Sequence, residues 1–321
     1  MRLSALLFCM LAVPAIAQEN YPNRPVKMLV PYGPGGATDI IARIVAQHLT
    51  TELKESFIVE NRPGANGNLA LEAVAKAAPD GYTLLVGNVS TNAINENIYA
   101  STLSIKPSRD LVGIAKLVEI PHIVVAPASL PANNIAELIA LAKKEPGKLN
   151  YASVGIGSYP HLDMERFMKA SGTQMTHVPY KGGAGQAIPA MIAGEVQLAF
   201  FNMASLLPHI KSGRLKALAA VPTQRIPELP NVPTLAEQGY PGIGTNAWQG
   251  MFAPAATPKP VVDALHRAVF VVLSRHDIKD GLAKQMMSVE VSKSPQEFTD
   301  LVRKETAAWG EFLRSARIQI D

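Results

Sequence analysis

The chain has 321 residues, of which 48% are hydrophobic and 17% charged, a composition typical of globular proteins and not of disordered or collagen-like chains. This length exceeds that of an ordinary single domain, so we expect two lobes. The formal net charge is +4, and the lysines and arginines are scattered along the chain. This pattern argues against a nucleic-acid partner and against a polybasic membrane-binding surface.

The first residues have the features of an export signal. A basic start at Met1-Arg2 precedes an apolar run over 3–13 and the small-residue motif Ala15-Ile16-Ala17. This order predicts a signal peptide over 1–17, cleaved near Ala17, and a location in the periplasm. The apolar run is too short to span a bilayer. The single cysteine, Cys9, lies inside it, so the mature chain would have no disulfide and no thiolate metal site.

Downstream of this segment, short apolar runs alternate with stretches of helical periodicity. We predict strands over 26–30, 58–59, 83–86, 123–126, 151–152, 175–178, 197–201 and 217–220. We predict helices over 40–49, 66–78, 135–144, 158–170, 184–193, 260–274 and 295–315. Such alternation indicates an α/β fold with mostly parallel sheets. Ligands of such sheets bind beyond the carboxyl ends of the strands, where helices begin.

Three glycine-rich loops precede predicted helices: the first loop (32–39), the second loop (153–161) and the third loop (180–186). Each loop alone is compatible with an ordinary tight turn. Because helix N-terminal amides form anion sites, three such junctions in one chain favour an oxyanion ligand. Thr38 or Asp39 is expected to cap the first of these helices. The candidate ligand-binding residues are Tyr32, Gly35, Gly36, Ala37, Thr38, Asp39, Ser153, Gly157, Ser158, His161, Tyr180, Lys181, Gly182, Gly183 and Ala184.

Two asparagines extend this set. Asn88 and Asn202 follow predicted strands, so both are expected at carboxyl ends of the sheets. The alternative for each is a turn residue that bonds the local backbone. With Tyr32, Tyr159 and Tyr180, the two asparagines are candidates to surround the far end of the ligand.

Motifs of enzymes are incomplete in this chain. The stretch 183–188 lacks the third glycine of a dinucleotide fingerprint, and the phosphate-loop and nucleophile-elbow patterns are missing. Ser158, His161 and Asp163 lie too close together in sequence to form a catalytic relay easily. The spacing of His122, His161 and Glu165 does not match a zinc site. We therefore expect no catalytic residue, metal or cofactor, and we expect His161 to cap or orient its loop. An exported α/β hydrolase remains the alternative reading.

The loops also belong to a longer series of motifs. The series comprises 21–26, 30–36, 61–67, 78–85, 157–162, 178–182, 229–234, 237–240, 248–250 and 253–254. In its order and content it resembles the Bug family, the periplasmic receptors of tripartite tricarboxylate transporters. The resemblance covers nearly the whole mature chain.

This resemblance implies a two-lobed, type II periplasmic-binding-protein (Venus-flytrap) fold with the ligand in the cleft between the lobes. It places lobe one at 18–122 plus 251–321 and lobe two at 123–250. It also implies that backbone amides of the first and third loops hold one carboxylate, with Lys181 at the cleft rim. The implied partners are a small carboxylate and the integral-membrane carrier subunits of a tripartite tricarboxylate transporter, or a sensor kinase. The protein itself is expected to be a monomer.

Asn202 bears on the choice of ligand. Many members of the family carry an acidic residue at this place, and this chain has a neutral amide. An ammonium group on the ligand would then lack a carboxylate partner, and burying an unpaired charge is costly. We therefore expect a di- or hydroxycarboxylate in preference to an amino acid. Aromatic carboxylates are kept as an alternative ligand class, because three tyrosines could line a flat pocket.

Overall fold

Two β-sheets organise the chain, and each is the centre of one lobe. The computed structural model describes residues 21–245 and 247–316, so the predicted signal peptide lies outside the described residues. The strands are β1 (Val26–Val30), β2 (Phe57–Asn61), β3 (Thr83–Asn88), β4 (Leu111–Ile120), β5 (His122–Pro127), β6 (Asn150–Ser153), β7 (Thr176–Pro179), β8 (Leu198–Asn202), β9 (Leu215–Ala220), β10 (Ala247–Pro254) and β11 (Ser288–Val289). The first sheet has the order β11-β4-β10-β3-β1-β2 and the second β7-β6-β8-β5-β9.

Helices cover both sheets. They are α1 (Ala37–Leu53), α2 (Asn68–Ala75), α3 (Asn95–Ile98), α4 (Pro107–Asp110), α5 (Ile135–Lys144), α6 (Tyr159–Ser171), α7 (Ala184–Ile192), α8 (Met203–Lys211), α9 (Lys259–Ser274), α10 (His276–Ala283) and α11 (Pro295–Ala316). A 3₁₀ turn (Ala65–Gly67) precedes α2, and a π-helical turn (Ser90–Ile94) precedes α3.

Each lobe has two hydrophobic clusters. In the first lobe, α1 and α9 contribute to one cluster, and α2 and α11 to the other. In the second lobe, α7 and α8 contribute to one cluster, and α5 and α6 to the other. Burying each large aliphatic side chain contributes about 1.5–3 kcal/mol, so these layers hold each sheet rigid. The strand ends are thereby fixed, and the loops that follow them are presented on a firm base.

The prediction of mostly parallel sheets is wrong: among the described strands, four pairings are parallel and five are antiparallel. Both sheets are mixed because each has an antiparallel strand in its interior. Strand β10 lies between β3 and β4, and β5 lies between β8 and β9, antiparallel to both neighbours in each case. Such a strand begins at the edge where its neighbours end. Gln249 near the start of β10 therefore pairs with Asn88 at the end of β3, and His122 at the start of β5 pairs with Asn202 at the end of β8.

The predicted strands are confirmed, with shifts of a few residues at their ends. The helix predicted over 66–78 is wrong in its extent, because Asn66 and Gly67 have positive φ and α2 begins only at Asn68. Strands β4, β10 and β11 were missed. In β4, Lys116 and Glu119 interrupt the apolar pattern, and Lys116 is held by ion pairs to Glu119 and Glu290.

The lobe boundaries 18–122 plus 251–321 and 123–250 stay predictions. Strand β4 ends at Ile120, beside Ala247 of β10, and β5 begins at His122 in the other sheet. The second predicted boundary falls inside β10, whose residues from Ala247 onward pair with β4. Across the described ranges, none of the helices combines the length and apolarity that crossing a bilayer requires.

Candidate ligand-binding site

The first and third loops meet between the two lobes. The Gly33 amide donates a hydrogen bond of 3.1 Å to the Gly182 carbonyl oxygen. A Cβ atom on Gly33 would lie 2.6 Å from that oxygen, and one on Gly185 would lie 2.1 Å from the Pro34 carbonyl oxygen. Distances below 3.0 Å do not occur for real Cβ atoms, so only glycine permits this approach.

The first loop ends in a helix N-terminus without a side-chain cap. Gly36 is the N-cap of α1, so the prediction that Thr38 or Asp39 caps this helix is wrong. The Ile40 amide is the first to bond a helical carbonyl, that of Gly36. The preceding amides of Ala37, Thr38 and Asp39 are those that a helix leaves without an internal partner. Amides at such a helix end favour an anion, and the assignment of these residues to a ligand site stays a prediction.

Asp39 holds this loop in place. Its carboxylate accepts hydrogen bonds from the Gly35 amide at 3.0 Å and from the Asn61 side-chain amide at 2.9 Å, and it pairs with Arg43 at 2.9 Å. Burial alone would raise the pKa of Asp39, but the bonds from Arg43, Gly35 and Asn61 outweigh burial and lower it. The carboxylate is therefore ionised at neutral pH and fully engaged within lobe one.

The third loop has the same design. Gly183, with a φ of +74°, is the N-cap of α7 and has no side-chain cap. Gln186 Oε1 accepts a hydrogen bond of 2.9 Å from the Gly182 backbone amide, and the backbone amide of Gln186 donates to the Gly183 carbonyl oxygen. The amides of Ala184 and Gly185 are thus left at the open end of the helix. Around them, Tyr180 is half-buried and Lys181 is exposed.

The second loop uses its polar side chains internally. The Ser158 hydroxyl donates to the Gly155 carbonyl at 2.6 Å, and the Gly157 amide donates to His161 Nδ1 at 3.1 Å. Ser153 lies 2.6 Å from His177 Nε2, and the rings of His177 and His161 stack at 4.1 Å. Burial lowers the pKa of His161 to about 4, which keeps Nδ1 free to accept. His161 orients the loop, in keeping with the sequence analysis.

The three residues of the suspected relay have separate partners. Ser158 bonds Gly155, His161 accepts from Gly157, and Asp163 accepts from Thr245 through its amide at 3.0 Å and its hydroxyl at 2.8 Å. Burial raises the pKa of Asp163 to about 7. These side chains do not form the nucleophile–base–orienter line that hydrolysis needs.

Lobe one contributes a row of neutral polar side chains beside the first loop. The Thr38 hydroxyl donates to Gln249 Oε1 at 2.7 Å and accepts from Asn88 Nδ2 at 3.4 Å. Asn88 Oδ1 in turn lies 3.4 Å from the Tyr32 hydroxyl. Tyr32, Thr38, Asn88 and Gln249 are all buried. The structure thus brings together three of the predicted residues and adds Gln249.

Lobe two contributes a second neutral group. Asn202 Nδ2 lies 3.4 Å from the Tyr159 hydroxyl, and Asn202 Oδ1 accepts from Ser205. The His122 ring stacks on Tyr159 with centroids 4.4 Å apart and an interplanar angle of 10°. Burial lowers the pKa of His122 to about 3, so its imidazole is neutral.

Gln249 and His122 were missed in the sequence analysis. Both lie near the beginnings of antiparallel strands. In the sequence analysis, only residues at the carboxyl ends of strands that were expected to be parallel were considered. Within the described residues, Gln249 Nε2 and both ring nitrogens of His122 are buried without a hydrogen-bond partner. Buried polar atoms rarely lack a hydrogen-bond partner in native proteins.

Two tyrosines join the lobes across the cleft. Tyr32 of the first loop packs into a hydrophobic cluster of lobe two, and Tyr159 of the second loop packs into one of lobe one. The Tyr159 amide also donates to the Ser90 hydroxyl at 3.0 Å. The lobes are therefore in direct contact around the candidate site. In the part of the chain that the structure describes, no cluster of three or more His, Cys, Asp or Glu residues could hold a metal ion.

Known proteins share both the sequence pattern and the fold. A family model described as "Tripartite tricarboxylate transporter family receptor" matches residues 41–318. The periplasmic binding protein BugD is 32% identical, with a TM-score of 0.87, over 93% of this chain and 99% of its own. The structure of Rpa4515 of R. palustris with adipate is also 32% identical, with a TM-score of 0.88 over 93% of this chain and 99% of its own. MatC of Rhodopseudomonas palustris with bound malate is 31% identical, with a TM-score of 0.86 over 91% of this chain and 99% of its own.

Proposed function

This chain belongs to the family of tripartite tricarboxylate transporter receptors, and we propose that it binds a small dicarboxylate or hydroxycarboxylate between its lobes. The observation that carries the proposal is the meeting of two uncapped helix N-termini, those of α1 and α7, where the first and third loops touch. Their amides and helix dipoles favour an anion, by about 0.3–1 kcal/mol per exposed helix end and up to about 2 kcal/mol where partly buried. A carboxylate fits such a site without an arginine clamp.

The neutral side chains of the cleft support a second oxygen-bearing group on the ligand. Amide and hydroxyl side chains and the neutral His122 ring lie beside the loops. The Asp39 carboxylate is engaged by Gly35, Arg43 and Asn61, and the Asp163 carboxylate is engaged by Thr245. An ammonium group would lack an anionic partner there, whereas a carboxylate or hydroxyl oxygen can accept from these donors. The solved structures of Rpa4515 with adipate and of MatC with bound malate hold ligands of this class.

Membership of the family supports a proposal for the partner and the location. We propose export by cleavage near Ala17 and a function in the periplasm, where the receptor passes its ligand to the integral-membrane subunits of a tripartite carrier. Intact-mass measurement of the exported protein tests the cleavage site. A pull-down from membranes with the ligand-loaded receptor tests the partner, and recovery of a sensor kinase instead of carrier subunits would overturn that assignment.

Titration calorimetry of the mature protein tests the ligand class. Succinate, malate, adipate and terephthalate are compared with aspartate, and the mixtures are then checked for reaction products. We expect at least one non-amino carboxylate to bind more tightly than aspartate, with no product formed. Tighter binding of aspartate than of every other compound would contradict the charge argument, and turnover would favour the hydrolase.

A further inference from the structure

His122 has unused hydrogen-bonding capacity. It is 1% exposed, and neither ring nitrogen has a partner within the described residues. A neutral imidazole carries one N–H donor and one acceptor nitrogen. The Thr245 backbone lies near enough to raise the pKa of the ring against the effect of burial, but it makes no hydrogen bond of normal length to either nitrogen. Buried polar groups are nearly always hydrogen-bonded, and an exception is explained by an unseen water or ligand, or by a functional role.

The position of His122 in the sheet places it beside the cleft. It begins β5 and lies directly opposite Asn202 in the antiparallel pair with β8. Directly opposed residues of an antiparallel pair share one face of the sheet. Asn202 contacts the Tyr159 hydroxyl, and the His122 ring stacks on the same tyrosine. His122 is therefore part of the group of side chains at the edge of lobe two where β8 ends and α8 begins.

The ring is held in one orientation by its stacking on Tyr159, so its nitrogens are preorganised for a partner. His122 also lines a cavity of about 350 Å3 with Pro121, Tyr240 and Thr245, but no residue of the three loops lines this cavity, so it lies outside the proposed site. The nearby Asp163 carboxylate is engaged by Thr245 and does not compete for the imidazole.

We propose that His122 contacts the ligand and selects for a second carboxylate or hydroxyl group, to which its ring N–H donates a hydrogen bond. This inference rests on the proposed function and deepens it. The first carboxylate would be bound by backbone amides and would contribute affinity for any carboxylic acid. His122 would distinguish a dicarboxylate from the monocarboxylate of equal chain length.

The variant His122→Phe tests the proposal, because it keeps an aromatic ring on Tyr159 and removes both nitrogens. Calorimetry compares matched pairs: succinate with butyrate, malate with 3-hydroxybutyrate, and adipate with hexanoate. We expect the affinity for the preferred dicarboxylate to fall about ten- to a hundredfold, as for loss of a hydrogen bond to a charged group. Affinity for its monocarboxylate partner should stay within about twofold. The melting temperature should rise, because two unpaired buried nitrogens are removed.

Two further variants sharpen the result. His209→Phe is the matched control, since His209 Nδ1 is also buried without a partner but lies in the last turn of α8, away from the cleft. It should leave all affinities unchanged. His122→Gln retains an N–H donor and should recover part of the preference for the dicarboxylate.

The outcomes separate this proposal from the proposed function. If the wild-type protein binds no carboxylate, both fail. If it binds dicarboxylates and His122→Phe has the same preference over the monocarboxylates, the role of His122 is refuted and the proposed function stands. Should His122→Phe not fold, ¹⁵N-histidine spectra of the wild-type protein decide, with the His122 signals assigned by their loss in His122→Gln. Addition of the preferred dicarboxylate must shift one His122 ring nitrogen, and an unchanged pair of signals would overturn the proposal.

Discussion

In the function proposed above, the two ends of the cleft recognise a ligand by different means. Where the first and third loops meet, the groups on offer are backbone amides, and glycines set how closely the loops approach. Around Tyr159, the groups available to contact a ligand are the side chains of His122 and Asn202. Backbone amides are the same for every residue type, so the amide end suits a group common to all ligands of the family. Side chains vary between proteins, so the Tyr159 end can set selectivity.

Each end is supported by a buried aspartate, and the pKa values of the two aspartates are shifted in opposite directions. Asp39 anchors the first loop and has a lowered pKa, because hydrogen bonds from Arg43, Gly35 and Asn61 outweigh its burial. Asp163 lies on α6, four residues beyond Tyr159, and binds Thr245 next to the crossing into β10. Its pKa is raised by burial to about 7. The amide end should therefore be insensitive to pH near neutrality, and the Tyr159 end should not.

The largest expected effect is that of Gly185→Ala at the amide end. The new Cβ would meet the Pro34 carbonyl oxygen at 2.1 Å, while the helical backbone of α7 accepts alanine readily. Lobe two should fold normally, but the lobes could no longer meet. We expect at least about a hundredfold weaker binding by calorimetry, which is about 2.7 kcal/mol.

The control for this variant is Gly281→Ala on α10, where an added Cβ meets nothing within 4 Å. It should bind normally and gain about 0.5–1 kcal/mol of stability, as for other glycine-to-alanine changes in helices. Normal binding by Gly185→Ala would show that the contact between the loops is not needed for ligand capture.

Asp163→Asn tests the pH sensitivity of the Tyr159 end. The unfolded carboxyl titrates near its ordinary pKa of 3.8 and the folded one near 7, so the folded state holds an extra proton between these values. The contribution of Asp163 to the free energy of unfolding is therefore largest at low pH and falls as pH rises toward 7. Between pH 5 and 8 we expect the wild type to lose about 2–3 kcal/mol relative to Asp163→Asn, at roughly 1.4 kcal/mol per pH unit. Parallel urea-denaturation curves for the two proteins across this range would contradict the assignment.

Asn202→Asp should change the selectivity of the Tyr159 end without affecting the amide end. A carboxylate there would provide the partner that an ammonium group lacks in the wild type. We expect the preference between aspartate and succinate to shift toward aspartate by about 1–2 kcal/mol, or about five- to thirtyfold. Competition calorimetry measures this ratio, and an unchanged ratio would place the ligand's far end away from Asn202.

The smallest effect is expected from Lys181→Ala. Lys181 is exposed beside the third loop, and exposed charges contribute little, typically below about 1 kcal/mol. Affinity should stay within about threefold of the wild type at physiological salt. A loss above tenfold would mean that a lysine charge, and not the amides of α1 and α7, holds the first carboxylate.

The amide end could be predicted from the sequence because its signals are local. Glycines followed by helical periodicity mark helix starts, and the same residues form the amide end of the proposed site. The details of the first loop were less accessible: Asp39 binds Gly35, Arg43 and Asn61 instead of capping α1, because Gly36 occupies the N-cap. Asn61 lies on a neighbouring strand, so this arrangement depends on β1–β2 pairing.

The Tyr159 end could be predicted only in part. The predicted places of Tyr159 at a helix start and of Asn202 at a strand end are confirmed, and their contact with a ligand stays a prediction. His122 and Gln249 are brought to the cleft by β5 and β10, which run against their neighbours. Strand direction is set by long-range pairing, and β10 was not recognised as a strand. The sequence contains no local pattern that distinguishes the first residue of an antiparallel strand at the cleft from one on the opposite edge.

A crystal structure of the mature protein with its tightest-binding dicarboxylate tests the account most directly. We predict one carboxylate within about 3 Å of the amides of Ala37 or Thr38 and of Ala184 or Gly185, the usual length of such bonds. The second oxygen-bearing group should lie within the same distance of His122. A ligand bound through Lys181, or one whose carboxylates both lie away from the two helix N-termini, would contradict the division of the cleft into an amide end and a side-chain end.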